Sequence, residues 1–371
     1  VEPWEREYVC RDCGAASEPD AVRWRCDCGG LLDLRGGAVA FPPALRERPP
    51  SLWRWIEALP FAPDADAPAG IAMGEGAVPV FPIALGRSTV TATLELASPT
   101  LSFKDRGAAV LVAKAVELGA RRLVADSSGN AGTAIAAYAA RAGLSCEVHV
   151  AASTSVGKLA AMRAHRADVV VIDGTREDVA ASAIAAVEAR DGFYASHVFN
   201  PFFHEGTKTW AFDLWLALDG VPDVCVLPAG NGTLVLGAAR GFGELHAAGV
   251  IDRVPRIVAV QAAACAPIAR AFRSNATDVK PVTNEGTIAE GIAIAAPPRG
   301  AQILVAVRAS GGTVLTVEDD AIARAQDLLA RQGLFVEPTA AATVAGAMAW
   351  LASDAPGSVA LPLCGAGLKS L

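Results

Sequence analysis

Ser98 to Gly107 reads S-P-T-L-S-F-K-D-R-G and stands between a β-branched run and a long alanine-rich stretch. That alternation predicts a strand near Thr91–Leu96 and a helix from about Phe103 to Leu118, which puts Lys104 in a first helical turn. The helix dipole disfavours positive charge there, and burial acts in the same direction. An amine so placed is pushed toward its neutral form, the form that attacks an aldehyde. A solvated lysine beside Asp105 and Arg106 is the other reading of these residues taken alone.

The same alternation continues along the chain. Strands are expected near Arg122–Ala125, Glu147–Val150, Val169–Ile172, Val224–Leu227, Arg256–Val260, Val314–Val317 and Val359–Leu363, with helices between them. Gly119, Gly143 and Gly333 follow helices as stop signals, and Glu318, Asp319 and Asp320 open one. Short apolar strands separated by crossover helices mean an α/β fold with parallel sheets. A length of 371 residues suits two such domains. From Phe41 to Pro82 the chain is rich in proline and tryptophan and reads as an irregular arm wrapping the larger domain.

Composition removes several function classes. The formal charge is -7 and no lysine or arginine cluster occurs, so no electrostatic footprint for nucleic acid is present. No apolar run approaches the roughly 20 residues of a membrane span, and residues 1–10 lack a signal-peptide core. A cytoplasmic enzyme acting on a small molecule is expected.

Two further loops carry chemistry. D-S-S-G-N-A-G-T, Asp126 to Thr133, joins the strand ending at Ala125 to a helix starting near Ala131. Hydroxyls and backbone N–H groups at a helix start make a carboxylate site, for which Ser127, Ser128 and Thr133 are the candidates. Serines that merely cap the helix are the alternative. P-A-G-N-G-T, Pro228 to Thr233, precedes a helix expected over Leu234–Ala248. Its glycines allow successive N–H groups to close on a phosphate. It is no dinucleotide fingerprint, because the glycines run G-x-G-x-x-x-x-G and the next strand ends at Gln261 instead of an acidic residue.

Taken in order, a lysine, a serine–asparagine loop and a glycine cradle resemble the threonine synthase branch of the fold type II pyridoxal-phosphate enzymes, a tryptophan synthase β-like fold. E-G-T-K-T at Glu205–Thr209, E-P-T-A-A-A at Glu337–Ala342 and G-A-G-L-K at Gly365–Lys369 fit the same pattern, over nearly the whole chain. The resemblance implies pyridoxal 5′-phosphate as a Schiff base on Lys104, which also moves protons on the substrate. It implies Asn130 at the ring hydroxyl and Gly230, Asn231, Gly232 and Thr233 around the phosphate. Cys364 falls where the family places a serine or threonine at the ring nitrogen, and a thiol is a weaker partner. The implied reaction is elimination or replacement at the side chain of a small amino acid, phosphohomoserine to threonine in the resembled family. β-Elimination or β-replacement on serine-, threonine- or phosphoserine-like substrates is the alternative.

One departure bears on the substrate. Where the family carries an asparagine–serine pair and then an arginine that grip phosphate, this chain has His197-Val198 and Phe203. An apolar wall there would strip water from a phosphate without returning charge-assisted hydrogen bonds. Phosphohomoserine is therefore expected to be a poor substrate, with His197 and His204 the only local replacements.

Cys10-x-x-Cys13 and Cys26-x-Cys28, followed by Gly29-Gly30, resemble the zinc-ribbon-like hairpin that opens many threonine synthases. Four thiolates on two turns suit tetrahedral zinc, with a reduced, metal-free cluster as the alternative. A non-catalytic zinc-ribbon interaction protein would share these cysteines, but it would give no reason for the three loops to occur together. Cys146, Cys225, Cys265 and Cys364 read as reduced, buried thiols. The expected organisation is a hairpin over 1–35, a large phosphate-binding domain over 36–97 and 200–371, and a small domain over 98–199 with the lysine and substrate loop. The resemblance also implies a homodimer.

Overall fold

The computed structural model describes every residue except Val1, Pro3, Asp191, Asp354, Ala355, Pro356 and Leu371. The chain divides into two compact units, one formed by Val1–Gly76 and Lys104–Thr207, the other by Ala77–Phe103 and Lys208–Leu371.

In the first unit a four-stranded parallel sheet has the order Asp168–Ile172, Ser145–Ala151, Arg122–Ala125, Phe193–Tyr194. The central strand Arg122–Ala125 is buried beyond its first residue, as a parallel strand covered by crossover helices must be, whereas the edge strand Asp168–Ile172 is partly exposed. The helices Lys104–Glu117 and Asn130–Arg141 are nearly continuous alanine, valine and leucine on their inner sides and bury most of their length. A separate antiparallel sheet of Ala16–Ser17, Arg6–Cys10 and Leu32–Gly36 holds the amino-terminal cysteines.

The second unit is a six-stranded sheet in the order Thr313–Val317, Arg256–Ala262, Val224–Pro228, Val359–Pro362, Ser88–Thr93, Val80–Leu85. All neighbours are parallel except the last pair, a hairpin turned at Gly86. Together the two units give the expected pair of α/β domains of the fold type II class.

The strands and helices that were expected lie within a few residues of their predicted places, while the strand Phe193–Tyr194 and the helix Phe202–Thr207 were not expected. The strand placed at Thr91–Leu96 is Ser88–Thr93, because Glu95–Ala97 turns into a 3-10 segment. The arm is the larger correction. It contains the 3-10 turns Pro43–Glu47 and Leu52–Ala58, the helix Asp66–Ile71 and the strand Val80–Leu85. Residues 36–76 were expected with the large domain, yet Leu52, Leu59, Phe61 and Ile71 join the core of Ala108–Ala113 in the first unit. Their apolar side chains need a covered face, and the long buried helix supplies it.

Candidate active site

Lys104 opens its helix half-buried, and the residues behind it in the same turn, Asp105 and Arg106, are wholly buried. The helix is held by a close crossing with a second one, Phe202–Thr207, that the sequence did not announce. A Cβ on Gly107 would run into the ring of Phe203, and one on Gly206 would run into the Arg106 carbonyl. Two glycines therefore let two backbones meet, and the motifs K-D-R-G and E-G-T are the two halves of one contact. Glu205 meets Arg6 at 3.8 Å, and Phe202 packs against Tyr8 with tilted rings whose centroids are 5.8 Å apart. This ties the cysteine-bearing sheet to the same helix.

The crossing brings Lys104, Phe203 and His197 together. The Lys104 ammonium lies 5.8 Å from the Phe203 ring centre, and the His197 ring is 5.9 Å from the same ring. Phe203 is fully buried and His197 nearly so. Burial first, then the charges of Lys104, Arg176 and His204, hold the His197 imidazole well below its usual pKa of 6.5. A neutral imidazole and a phenyl ring thus line this side of the lysine.

Ser127, Ser128 and Asn130 are half-buried and Thr133 is buried, all at the start of the helix Asn130–Arg141. Gly129 is the N-cap, with no side chain capping the helix. The nearest approach to a cap is a 3.4 Å bond from the Gly129 N–H to Ser127 Oγ. The two serine hydroxyls are thus not consumed as helix caps, whereas the Thr133 hydroxyl donates to the Gly129 carbonyl at 3.4 Å. Gly132 is required for a different reason, since a Cβ there would run into the Ser127 carbonyl. Asp126, just before the serines, is buried and accepts a 2.6 Å bond from Arg176.

In the second unit, Gly230 to Thr233 form the start of the helix Thr233–Ala247, with Gly232 as N-cap at φ 77°. A side chain at Gly232 would enter Ile303, and a Cβ at Gly230 would sit 2.9 Å from the Gly291 carbonyl. Left-handed backbone and close packing shape this helix start, whose N–H groups are of the kind that can receive a phosphate. Cys364 is buried, and its thiol donates to Glu337 at 3.6 Å. Its carbonyl accepts from Phe103, the residue before Lys104, at 3.1 Å, and Ala366 N–H donates to the Leu101 carbonyl at 3.0 Å. The segment leading into the lysine is strapped to the G-A-G turn.

Other lysines of the motifs have structural duties. Lys208 is fully buried and pairs with Glu244 at 2.8 Å, and Lys369 donates to the Thr100 carbonyl at 2.6 Å. Lys114 pairs with Glu117 at 2.6 Å.

The sequence profile described as "Pyridoxal-phosphate dependent enzyme" matches residues 71–365. The chain belongs to this family. As a pyridoxal-phosphate-dependent enzyme of lyase type it has threonine synthases among its relatives. That of Methanocaldococcus jannaschii is 35% identical over 350 residues, covering 91% of this chain and 85% of that protein. That of Mycobacterium leprae is 37% identical over 290 residues, 76% and 77% of the two chains. Among solved structures, maize serine racemase superposes with a TM-score of 0.69 at 19% identity, over 78% of this chain and 88% of that one. Threonine deaminase isoform 2 from Solanum lycopersicum gives 0.65 at 20%, over 75% and 74%. These two likenesses carry the fold of the pyridoxal-phosphate enzyme and nothing about its substrate. Glu337 and the Asp126–Arg176 pair had been given no role. Glu337 was visible as an acidic residue before a helix-opening proline, whereas the partner of Asp126 lies 50 residues away in the chain.

The four amino-terminal thiols converge, with all Sγ atoms within 4.8 Å of one another. Cys10 to Cys28 is 3.5 Å and Cys13 to Cys26 is 3.6 Å, near the edge of about 3.8 Å that a tetrahedron with Zn–S bonds of about 2.3 Å requires. The backbone N–H of Cys13, with that of Asp12, lowers the Cys10 thiol to about 6, while the neighbouring thiols push Cys28 up to about 12, so that one thiol of the four is favoured as thiolate. Among the described residues, no helix is long and apolar enough to cross a membrane.

Proposed function

We propose that this enzyme performs elimination or replacement at the side chain of a small amino acid, in the manner of the threonine synthases it resembles. The observation that carries the reading is the uncapped, accessible helix start at Ser127–Asn130, in the same compact unit as Lys104. In this reading Ser127, Ser128, Thr133 and the adjoining N–H groups hold the substrate carboxylate and fix Cα for proton transfer. Lys104 takes and returns protons at Cα and the next carbon through Nζ. Pyridoxal phosphate, when bound, supplies the electron withdrawal that makes the Cα proton labile. Gly230, Asn231, Gly232 and Thr233 would hold its phosphate, Asn130 its ring hydroxyl, and Cys364 with Glu337 its ring nitrogen. Phe203 and neutral His197 keep water from the lysine. A homodimer and a structural zinc on Cys10, Cys13, Cys26 and Cys28 go with the same reading.

A second reading, β-elimination or β-replacement on a serine-like substrate, is favoured by Phe203. A buried phenyl fills the place at which the resembled family carries a phosphate-gripping arginine. A panel of amino acids and phospho-amino acids, followed by release of phosphate, ammonia and keto acid, tests both. Phosphate release with threonine formation supports the first reading, and ammonia with keto acid the second. Absence of all of these from every compound would overturn the proposal.

A further inference from the structure

Asp126 and Arg176 have no task in the account above. Asp126 ends the loop's approach to Ser127 and is buried, at 2% exposure. One of its oxygens accepts from Arg176 Nη2 at 2.6 Å, and the other is buried without a hydrogen-bond partner. An uncompensated carboxylate here would repel the anion that the neighbouring serines are suited to receive. Arg176 neutralises it, but simple neutralisation does not explain where the arginine stands. It is the first residue of the helix Arg176–Ala189, the end at which the helix dipole disfavours a cation. That helix start is already complete without it, through a reciprocal cap between Thr175 and Asp178.

The side chain keeps 47% of its surface exposed. A guanidinium has five N–H donors in a rigid fork, and the bond to Asp126 occupies one. Its charge reaches the neutral His197, which Lys104 and His204 reach as well. Through Asp126, the residue before Ser127, a half-exposed cation is thus set beside the serine loop.

We propose that Arg176, oriented by Asp126, recognises an anionic group on the substrate's side chain. A phosphate ester is the fullest match for the fork, and a sulfonate or carboxylate shares the chemistry. The inference rests on the proposed function and deepens it: an anion grip beside the serine loop takes the place of the one missing at Phe203. Arg176 is then a specificity-determining residue of this chain.

The test uses the holoenzyme with two probes, O-phospho-L-homoserine and L-serine, and inorganic phosphate as a competitor. Arg176→Gln is expected to lower the ratio of kcat/KM for the phosphorylated probe to that for serine by roughly 10- to 100-fold, the range of a charge-assisted hydrogen bond or two. Inhibition by inorganic phosphate should weaken in parallel. Arg176→Lys should fall between the two, and Asp126→Asn should reduce the ratio while leaving the charge in place. A melting curve for each variant reports folding, and if Arg176→Gln does not fold, Arg176→Lys and Asp126→Asn carry the comparison. An unaltered ratio, with both probes turned over by the parent enzyme, overturns the role of Arg176 and leaves the proposed function standing. A parent enzyme that turns over neither probe overturns the role of Arg176, and inactivity toward the whole panel overturns the proposed function as well.

Discussion

At the scale of single residues, the structure changes what Phe203 predicts. Read from sequence, replacing it by arginine would restore a phosphate grip. The ring instead lies fully buried on Gly107, where an arginine would carry its charge into a packed crossing beside Lys104. Phe203→Arg is expected to cost about 3 kcal/mol or more and to lower the melting temperature without a gain on phosphohomoserine. Improved turnover with intact stability would contradict this. Lys104→Ala should abolish both the yellow colour of the purified protein and its borohydride-stable cofactor adduct, and persistence of either would move the assignment to another lysine. His197 gives a pH prediction. Its folded pKa is depressed, so below about 6.5 the unfolded chain binds a proton that the folded chain refuses. Stability should fall as pH drops through that range, by at most about 1.4 kcal/mol per pH unit for this group. His197→Asn should flatten this part of a melting-temperature profile, and an identical slope in both proteins would refute the contribution. Residue types and spacings marked Lys104, the serines and the glycine loop as candidates. The packing partners of Gly107 and Gly206 were not, because a close approach is decided by two distant segments and leaves only a glycine in each.

Among elements, strands such as Val224–Pro228 and Val359–Pro362 were readable because both faces are buried and each becomes an unbroken apolar run. Val80–Leu85 was missed because Pro82 and the surrounding prolines and tryptophans hide it. An edge strand tolerates proline, and this one pairs on one side only. Phe193–Tyr194 is too short to leave a periodic signal. The cysteine hairpin makes a prediction of its own. Its strand Arg6–Cys10 reaches the helix Phe202–Thr207 through Arg6 and Tyr8, so metal bound at the knuckles would brace the helix that carries Phe203. Metal analysis is expected to find one zinc per chain. Removing it with a chelator, or by Cys13→Ser, should lower the melting temperature and loosen residues 202–207 in hydrogen exchange. A metal-free protein with an unchanged melting temperature would show that the thiols need no ion.

For the whole molecule, the sequence conveyed two α/β domains but assigned the arm to the wrong one. Tryptophans and prolines show that a segment is buried or bent, not which surface covers it. Phe61 is covered within the first unit. Because the second unit's cradle is formed by the native backbone at Gly230 and Gly232, cofactor binding should stabilise the native state by mass action. Saturation at about 100 times Kd corresponds to about 2.7 kcal/mol. Removal of pyridoxal phosphate should lower the melting temperature and its re-addition restore it. Gly232→Leu should blunt that response, since its side chain would enter Ile303. A full cofactor-dependent shift in this variant would place the phosphate elsewhere.

The strand order of the six-stranded sheet has a consequence for the chain during its synthesis. Val359–Pro362 lies between Ser88–Thr93 and Val224–Pro228, and it alone joins the hairpin Val80–Thr93 to the other three strands. The hairpin leaves the ribosome early, while its neighbour is made only after the entire sheet of the first unit. At about 5–20 residues per second this leaves an open strand edge for tens of seconds. Unpaired N–H and C=O groups on such an edge invite pairing with another nascent chain. Yield from rapid expression should therefore depend on how well the waiting hairpin is shielded, by slower translation or by a chaperone, before the central strand arrives.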